Sequence, residues 1–294
     1  MQTWRIIDTG KHNGYYNMAV DEAIAIAVRE GRVPTTLRFY TWDPPCISIG
    51  YFQKPDESLN GCIVRRITGG RAVFHGSDLS YSVVSRTDNT LFPKNISGTY
   101  STIANALTAG LRHLGIHPDP VEGKHLRKDN KTTYHKTLLC FNTAIRHEIT
   151  VNGKKLIGSA QRRWPDVFLQ HGSILVNGGT SENGPASVSL EELAALMKIP
   201  LNPPFSKGEI RNPSLEKREI SYHSLLKKII SYPPLEKGGK GGFKGLFSDD
   251  CNLLAASLSN GFSEALGIQF MTEDLSGYEL ELSEKLIVEK YSRL

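Results

Sequence analysis

The segment Arg65–Val84, RRITGGRAVFHGSDLSYSVV, constrains the fold of this chain more than any other part of it. Three arginines, a double glycine and a histidine fall within eleven residues, Arg65 to His75. Strand-like apolar runs flank them, Cys62–Val64 before and Leu79–Val84 after. A Gly-Gly pair lets backbone N–H groups approach a ligand closely, because no Cβ intervenes. Successive N–H groups in such a turn form a concavity for an anion or a polarised carbonyl. Arg71 adds a forked cation, and His75 reaches the same pocket if the segment turns back. A plain hairpin with a tight glycine turn and surface cations fits the same residues.

The remaining pattern predicts an α/β protein. Strands are expected at Trp4–Asp8, Thr36–Trp42, Cys46–Tyr51 and Gln170–Val176. A helix is expected from an Asn17 cap to about Glu30, with Asp21 and Glu22 in the first turns, where the helix dipole favours them. Gly98–Leu114 carries Ile103, Leu107, Leu111 and Leu114 on one helical stripe. Ser189-Leu190-Glu191-Glu192 is a capping box opening a short helix. Further helices are expected at Asn252–Leu266 and Ser283–Tyr291.

With 294 residues the chain can build a sizeable core, and 39% hydrophobic and 22% charged residues describe an ordinary globular protein. The net charge of +5 suits acidic partners and is too small to argue for nucleic acid. No apolar run approaches membrane-spanning length. MQTWRIIDTG lacks a basic-then-apolar signal pattern, which predicts a cytoplasmic protein. Four separated cysteines with no CxxC pair argue against zinc and against a disulfide framework. Cys46 and Cys62 therefore read as small buried hydrophobes. The domain reading is a catalytic domain over residues 1–201, a Pro/Gly/Lys/Glu-rich low-complexity insertion at 202–250 that is expected to be disordered, and helices at 251–294 that complete the first domain.

Cys140 stands apart from the other cysteines. It follows a long polar stretch, His117–Thr137, of the kind that forms lids, and it precedes a hairpin turning at Asn152-Gly153. A nucleophilic cysteine needs a positive neighbour to hold it as thiolate. A two-residue turn pairs Val151 with Lys154, Thr150 with Lys155 and Glu148 with Ile157. Lys155 then shares a face with Glu148 and Ser159, and Lys154 takes the opposite face. Both faces carry apolar residues, so periodicity does not say which lysine faces a pocket. Gly158, Ser159 and Ala160 end the returning strand with small side chains, which allow either a ligand chain or a packed neighbour against the backbone.

Together, RRITGGRAVFHGSDLSYSVV, NGKKLIGSAQRR and FLQHGSILV resemble the biotin/lipoate protein ligase superfamily. WRIIDTG…NMAVDEAI and TLRFYTWDPPCISIGYFQ are similar to its octanoyltransferase branch, the LipM type. The resemblance runs from Trp4 to Val176 and implies a class II synthetase-like catalytic domain, a mixed sheet flanked by helices. It implies Cys140 as nucleophile and Lys155 as the lysine that lowers its pKa. It also implies an acyl site at Gly69, Gly70, Arg71, His75, Gly158, Ser159 and Ala160. The implied reaction moves octanoyl from octanoyl-acyl carrier protein, through a Cys140 thioester, to a lysine of a lipoyl-accepting domain such as glycine cleavage H protein. It uses no ATP, cofactor or metal, and no membrane or nucleic acid. Leu138-Leu139 replace the small or proline residues often found before the cysteine, and the 202–250 insertion has no expected counterpart. Three rivals share some of these residues: an ATP-dependent lipoate–protein ligase, a lipoyl-domain amidotransferase and a non-catalytic binder of acylated carriers.

Overall fold

A computed structural model describes residues 1–55, 61–120, 148–176, 187–197 and 249–293. Its elements are β1 (Gln2–His12), α1 (Gly14–Arg29), β2 (Thr36–Trp42), β3 (Cys46–Ile49), β4 (Cys62–Arg65), β5 (Val73–His75), β6 (Asp78–Arg86) and α2 (Ile96–His113). They continue with β7 (Ile149–Val151), β8 (Lys154–Arg163), β9 (Val167–Leu175), α3 (Leu190–Met197), α4 (Asp249–Leu266), β10 (Ile268–Thr272) and α5 (Gly277–Leu286). A π-helical turn, Ile287–Tyr291, extends α5.

Seven strands form a mixed sheet in the order β10-β1-β2-β6-β9-β8-β7, and three form a small sheet in the order β4-β3-β5. Strand periodicity assigns the faces of the large sheet. Trp4, Ile6, Leu37, Phe39, Tyr81, Phe168 and Ile174 point to one core, with Leu107 and Leu111 of α2 and Leu258 and Phe262 of α4. Ile7, Tyr40, Val84 and Leu169 point to the other, with Val20, Ile24 and Val28 of α1. This is the expected sheet flanked by helices.

Several local expectations hold. β2 has the expected bounds, Asn152 and Gly153 take positive φ of 53° and 75° in the hairpin turn, and Ser189 and Glu192 form the capping box. Others need correction. Asn13, not Asn17, caps α1 by accepting from the Tyr16 N–H. Asn17 lies inside the helix, where its Nδ2 donates to the His12 and Thr41 carbonyls. β7 and β8 pair Thr150 with Lys155 and Val151 with Lys154 as expected, but a bulge then sets Ile149, not Glu148, opposite Ile157. β10 was not foreseen; it pairs in parallel with β1. The last helix starts earlier than expected, at a capping box made by Ser276 and Glu279, and buried Glu279 accepts from both Arg5 terminal nitrogens.

The Gly69-Gly70 segment is not a hairpin turn. β4 runs parallel to β3 and β5 antiparallel to it, one on each side, so residues 66–72 cross from one edge of the small sheet to the other. Cys46 and Cys62 are in-register neighbours on β3 and β4 and are joined as a disulfide. Two separate buried thiols were expected. Nothing in a sixteen-residue separation reveals that parallel pairing will bring them side by side. Residues 202–248 of the low-complexity stretch lie outside the described residues.

Candidate active site

The small sheet and the β8–β9 hairpin of the large sheet enclose a cavity of about 300 Å³. All seven residues expected to hold an acyl group line it: Gly69, Gly70, Arg71 and His75 from one side, and Gly158, Ser159 and Ala160 from the other. Met18, Tyr40, Trp42, Val73 and Tyr100 add apolar surface. A mostly apolar hollow with a few fixed polar groups suits a short hydrocarbon chain ending in a polar function.

On the β8–β9 side the backbone ladder sets the positions. Ser159 pairs with Gly172 and Ala160 with His171. Tyr81 and Ser159 hydroxyls meet at 2.8 Å, and Gln170 Nε2 donates to the Tyr81 oxygen. Burial pushes the Tyr81 phenol up to about 12, so it stays a neutral hydrogen-bonding group. Gly172 has to be glycine. A Cβ there would lie 2.5 Å from the Tyr81 ring, 2.7 Å from the Gly158 oxygen and 2.8 Å from Ser159 Oγ.

On the small-sheet side, buried side chains replace the ladder. Arg66 Nη1 donates to the Ser48 carbonyl, and Nη2 donates to the Gly69 and Arg71 carbonyls at 2.9 and 2.6 Å. Its planar fork thus grips the double-glycine crossover from within. Gly70 takes φ +93°, a conformation that glycine adopts without steric cost. Its carbonyl lies where a side chain at position 50 would stand, and position 50 is also glycine.

Two imidazoles, His75 of β5 and His171 of β9, link the two walls, each held between a hydroxyl and a carboxylate. His75 Nδ1 faces Asp78 Oδ2 at 2.9 Å, and Nε2 faces Ser48 Oγ at 2.8 Å. The Trp42 ring stacks on His75 with centroids 3.8 Å apart. Asp78 also accepts from Ser80, Ser173 and the Gly76 N–H. Burial alone would push its pKa up. His75 and these hydrogen bonds outweigh burial and hold the carboxyl below the ordinary aspartate value. His171 Nδ1 faces Asp21 Oδ2 at 2.9 Å, and Nε2 faces Thr68 Oγ1 at 2.7 Å. Burial lowers the His171 pKa against the pull of Asp21. Burial opposes ionisation of Asp21 as well, but Arg38, whose Nη1 donates at 2.7 Å, and His171 hold the carboxyl below its ordinary value. In the neutral imidazole, Nδ1–H donates to the carboxylate and Nε2 accepts the hydroxyl proton.

Asp21 is therefore a buried anchor and not a helix-dipole residue, which corrects the sequence reading. The signal was there: Asn17, Asp21, Ile24 and Val28 fall on one helical stripe, so Asp21 points into the core. Arg66, Asp78, Thr68 and His171 were also missed. Thr68 and His171 meet across 103 positions, whereas Arg66 and Asp78 hold near neighbours, Gly69, Arg71 and His75, whose path only the folded crossover fixes.

Cys140 lies outside the described residues. Lys155 is buried, and its Nζ donates to Glu148 Oε1 in an ion pair. Glu148, not Lys155, lines the cavity. Among the described residues no cluster of three His, Cys, Asp or Glu is placed to hold a metal, and no helix is long and apolar enough to cross a membrane.

Residues 13–192 match the model of the lipoyl protein ligase A/B catalytic domain, and the chain belongs to that family. It is 45% identical over 207 residues to the octanoyltransferase LipM of Moorella thermoacetica, covering 68% of this chain and 71% of the relative. It is 43% identical over 186 residues to the octanoyltransferase LipM of Clostridioides difficile, covering 60% and 67%. Among solved structures, lipoate-protein ligase A bound with ATP superposes with a TM-score of 0.63 at 23% identity, covering 100% of this chain and 96% of that one. The bipartite lipoate protein ligase of Thermoplasma acidophilum gives a TM-score of 0.61 at 22% identity, covering 99% and 94%. These structures share the fold with this chain.

Proposed function

We propose that this chain is an octanoyltransferase of lipoate biosynthesis. It takes octanoyl from a thioester donor, octanoyl-acyl carrier protein, and delivers it to a lysine of a lipoyl-accepting domain such as glycine cleavage H protein. The observation that carries this reading is one cavity lined by all seven expected acyl-site residues, in a chain 45% identical to an octanoyltransferase.

In the first step the Cys140 thiolate attacks the donor's carbonyl carbon. The C–S bond to the carrier breaks, and the carrier's sulfur leaves as a thiol with a proton given up by the Lys155 ammonium. In the second step the acceptor's ε-amine attacks the Cys140 thioester, an amide C–N bond forms and the Cys140 thiolate leaves. The proton lost by the amine returns to Lys155, left neutral by the first step and held by Glu148. Lys155 stabilises the thiolate in the resting enzyme.

The test is turnover without ATP. Purified protein, octanoyl-acyl carrier protein and a lipoyl domain should yield octanoylated acceptor, and Cys140→Ser should abolish this. Labelling that requires free octanoate and ATP would make the chain a ligase. Transfer only from an octanoylated lipoyl domain would make it an amidotransferase.

A further inference from the structure

A second cavity, also about 300 Å³, shares Arg66 with the first. Arg65, Lys290 and Arg293 line it together with Tyr51 and Tyr291, and no acidic side chain does so among the described residues. Arg65 Nη1 donates to the carbonyls of Gly50, Tyr51 and Gln53, and Arg293 Nε donates to the Val288 carbonyl. Neutral carbonyls orient these guanidinium groups and leave their charge in place. Lys290 pairs with Glu22 of α1. The cationic surface continues along β8. The Arg162 guanidinium lies 4.8 Å from the Tyr51 ring and 5.1 Å from the Trp164 ring. Arg162 is one residue beyond Gln161, which lines the first cavity. Phe52, 88% exposed, packs edge-on against the ring of Tyr51.

Oriented arginine forks in a hollow of this size match a phosphoryl group in charge and geometry. The acyl donor, as read above, carries its thioester on an arm whose other end is a phosphodiester. That anion has to rest outside the apolar cavity while the acyl chain is inside it. We propose that the cavity of Arg65, Lys290 and Arg293 binds the phosphoryl group of the donor arm. The proposal rests on the thioester-transferase reading.

The test compares two small donors, octanoyl-pantetheine and octanoyl-4′-phosphopantetheine, that differ only in the phosphate. The wild type should use the phosphorylated donor at least tenfold better, through KM, and added salt should shrink the preference. Arg293→Glu removes an exposed cation, and the double variant Arg293→Glu/Lys290→Gln removes a second. Each should erase the preference and leave kcat/KM for octanoyl-pantetheine unchanged. Equal use of the two donors by the wild type would overturn the proposal. So would a variant that weakens both donors alike, or one that weakens only the carrier-bound donor, which would assign the patch to the carrier's protein surface. If neither these thioesters nor octanoyl-acyl carrier protein is turned over, the transferase reading fails. Calorimetric binding of free 4′-phosphopantetheine then decides: binding lost in Arg293→Glu upholds the site, and no binding removes it.

Discussion

The two walls of the cavity lined by Gly69, Gly70 and Gly158–Ala160 are held in place by different means. The β8–β9 wall is fixed by a continuous backbone ladder from Ile157–Ile174 to Arg163–Phe168. The small-sheet wall has strands of only three and four residues, and a crossover joins two of them. Its geometry depends on three buried polar fastenings: Arg66, His75–Asp78, and Thr68 bonded to His171 of β9, which Asp21 holds. A ladder tolerates most side-chain changes and fails when volume is added. A fastened loop tolerates little change in the fastening groups, because removing one partner leaves the others buried and unpaired.

Arg66 should therefore show the largest effect. Arg66→Met leaves the Gly69, Arg71 and Ser48 carbonyls without their shared donor. We expect a loss of roughly 3 kcal/mol in stability and of about 100-fold in kcat/KM, measured by denaturant unfolding and steady-state transfer. Arg66→Lys should recover little, since an ammonium cannot span the fork. Next is Gly172→Ala, a change on the ladder wall. The added methyl presses on the Tyr81 ring and the Gly158 carbonyl, and overpacking of that kind costs about 1–3 kcal/mol. Its signature should be a raised KM for octanoyl donors. An unchanged KM would show that the ladder wall gives way more readily than its geometry suggests.

Two smaller effects are read through pH. Burial holds His171 neutral in the folded chain, with its pKa lowered, whereas the unfolded chain takes up the proton near the ordinary value of about 6.5. Stability from this source is present above about pH 6.5 and is lost as pH falls below it. His171→Asn should flatten that part of the stability curve between about pH 7 and 5. Asp8 acts in the opposite direction. Burial pushes its carboxyl up to about 6, and its Oδ2 has no hydrogen-bond partner among the described residues. The folded chain holds the proton more tightly than the unfolded chain, so stability falls as pH rises from about 4 through 6. Asp8→Asn should raise stability at pH 7.5 by ~1 kcal/mol, allowing for partial exposure, and by less at pH 4.5. Thermal melts at the two pH values check this.

The same contrast explains what the sequence disclosed. The ladder wall was legible, because alternation and the Asn-Gly turn placed Gly158–Ala160 on one returning strand. That Gly69, Gly70 and His75 line one cavity was legible through a contiguous motif. The fastenings were not. Thr68 and Ser48 look like ordinary strand-end residues, and Arg66 looks like a surface cation beside Arg65. Thr68 takes its role from His171 on β9 and Ser48 from His75 on β5, while Arg66 takes its role from the path of the crossover it grips. Lys155 shows both sides. Its pairing with Thr150 was foreseen, but the bulge that shifts Glu148 out of the expected register and the ion pair between Lys155 and Glu148 were not.

The most direct test of the account is to find where the octanoyl group rests between donor and acceptor. The protein is quenched in acid after mixing with octanoyl-acyl carrier protein and no acceptor, then digested and mapped by mass spectrometry. The account predicts a hydroxylamine-labile octanoyl group on the peptide containing Cys140, absent in Cys140→Ser and discharged when a lipoyl domain is added before the quench. An octanoyl group on any other residue, or transfer to the lipoyl domain that persists in Cys140→Ser, would contradict it.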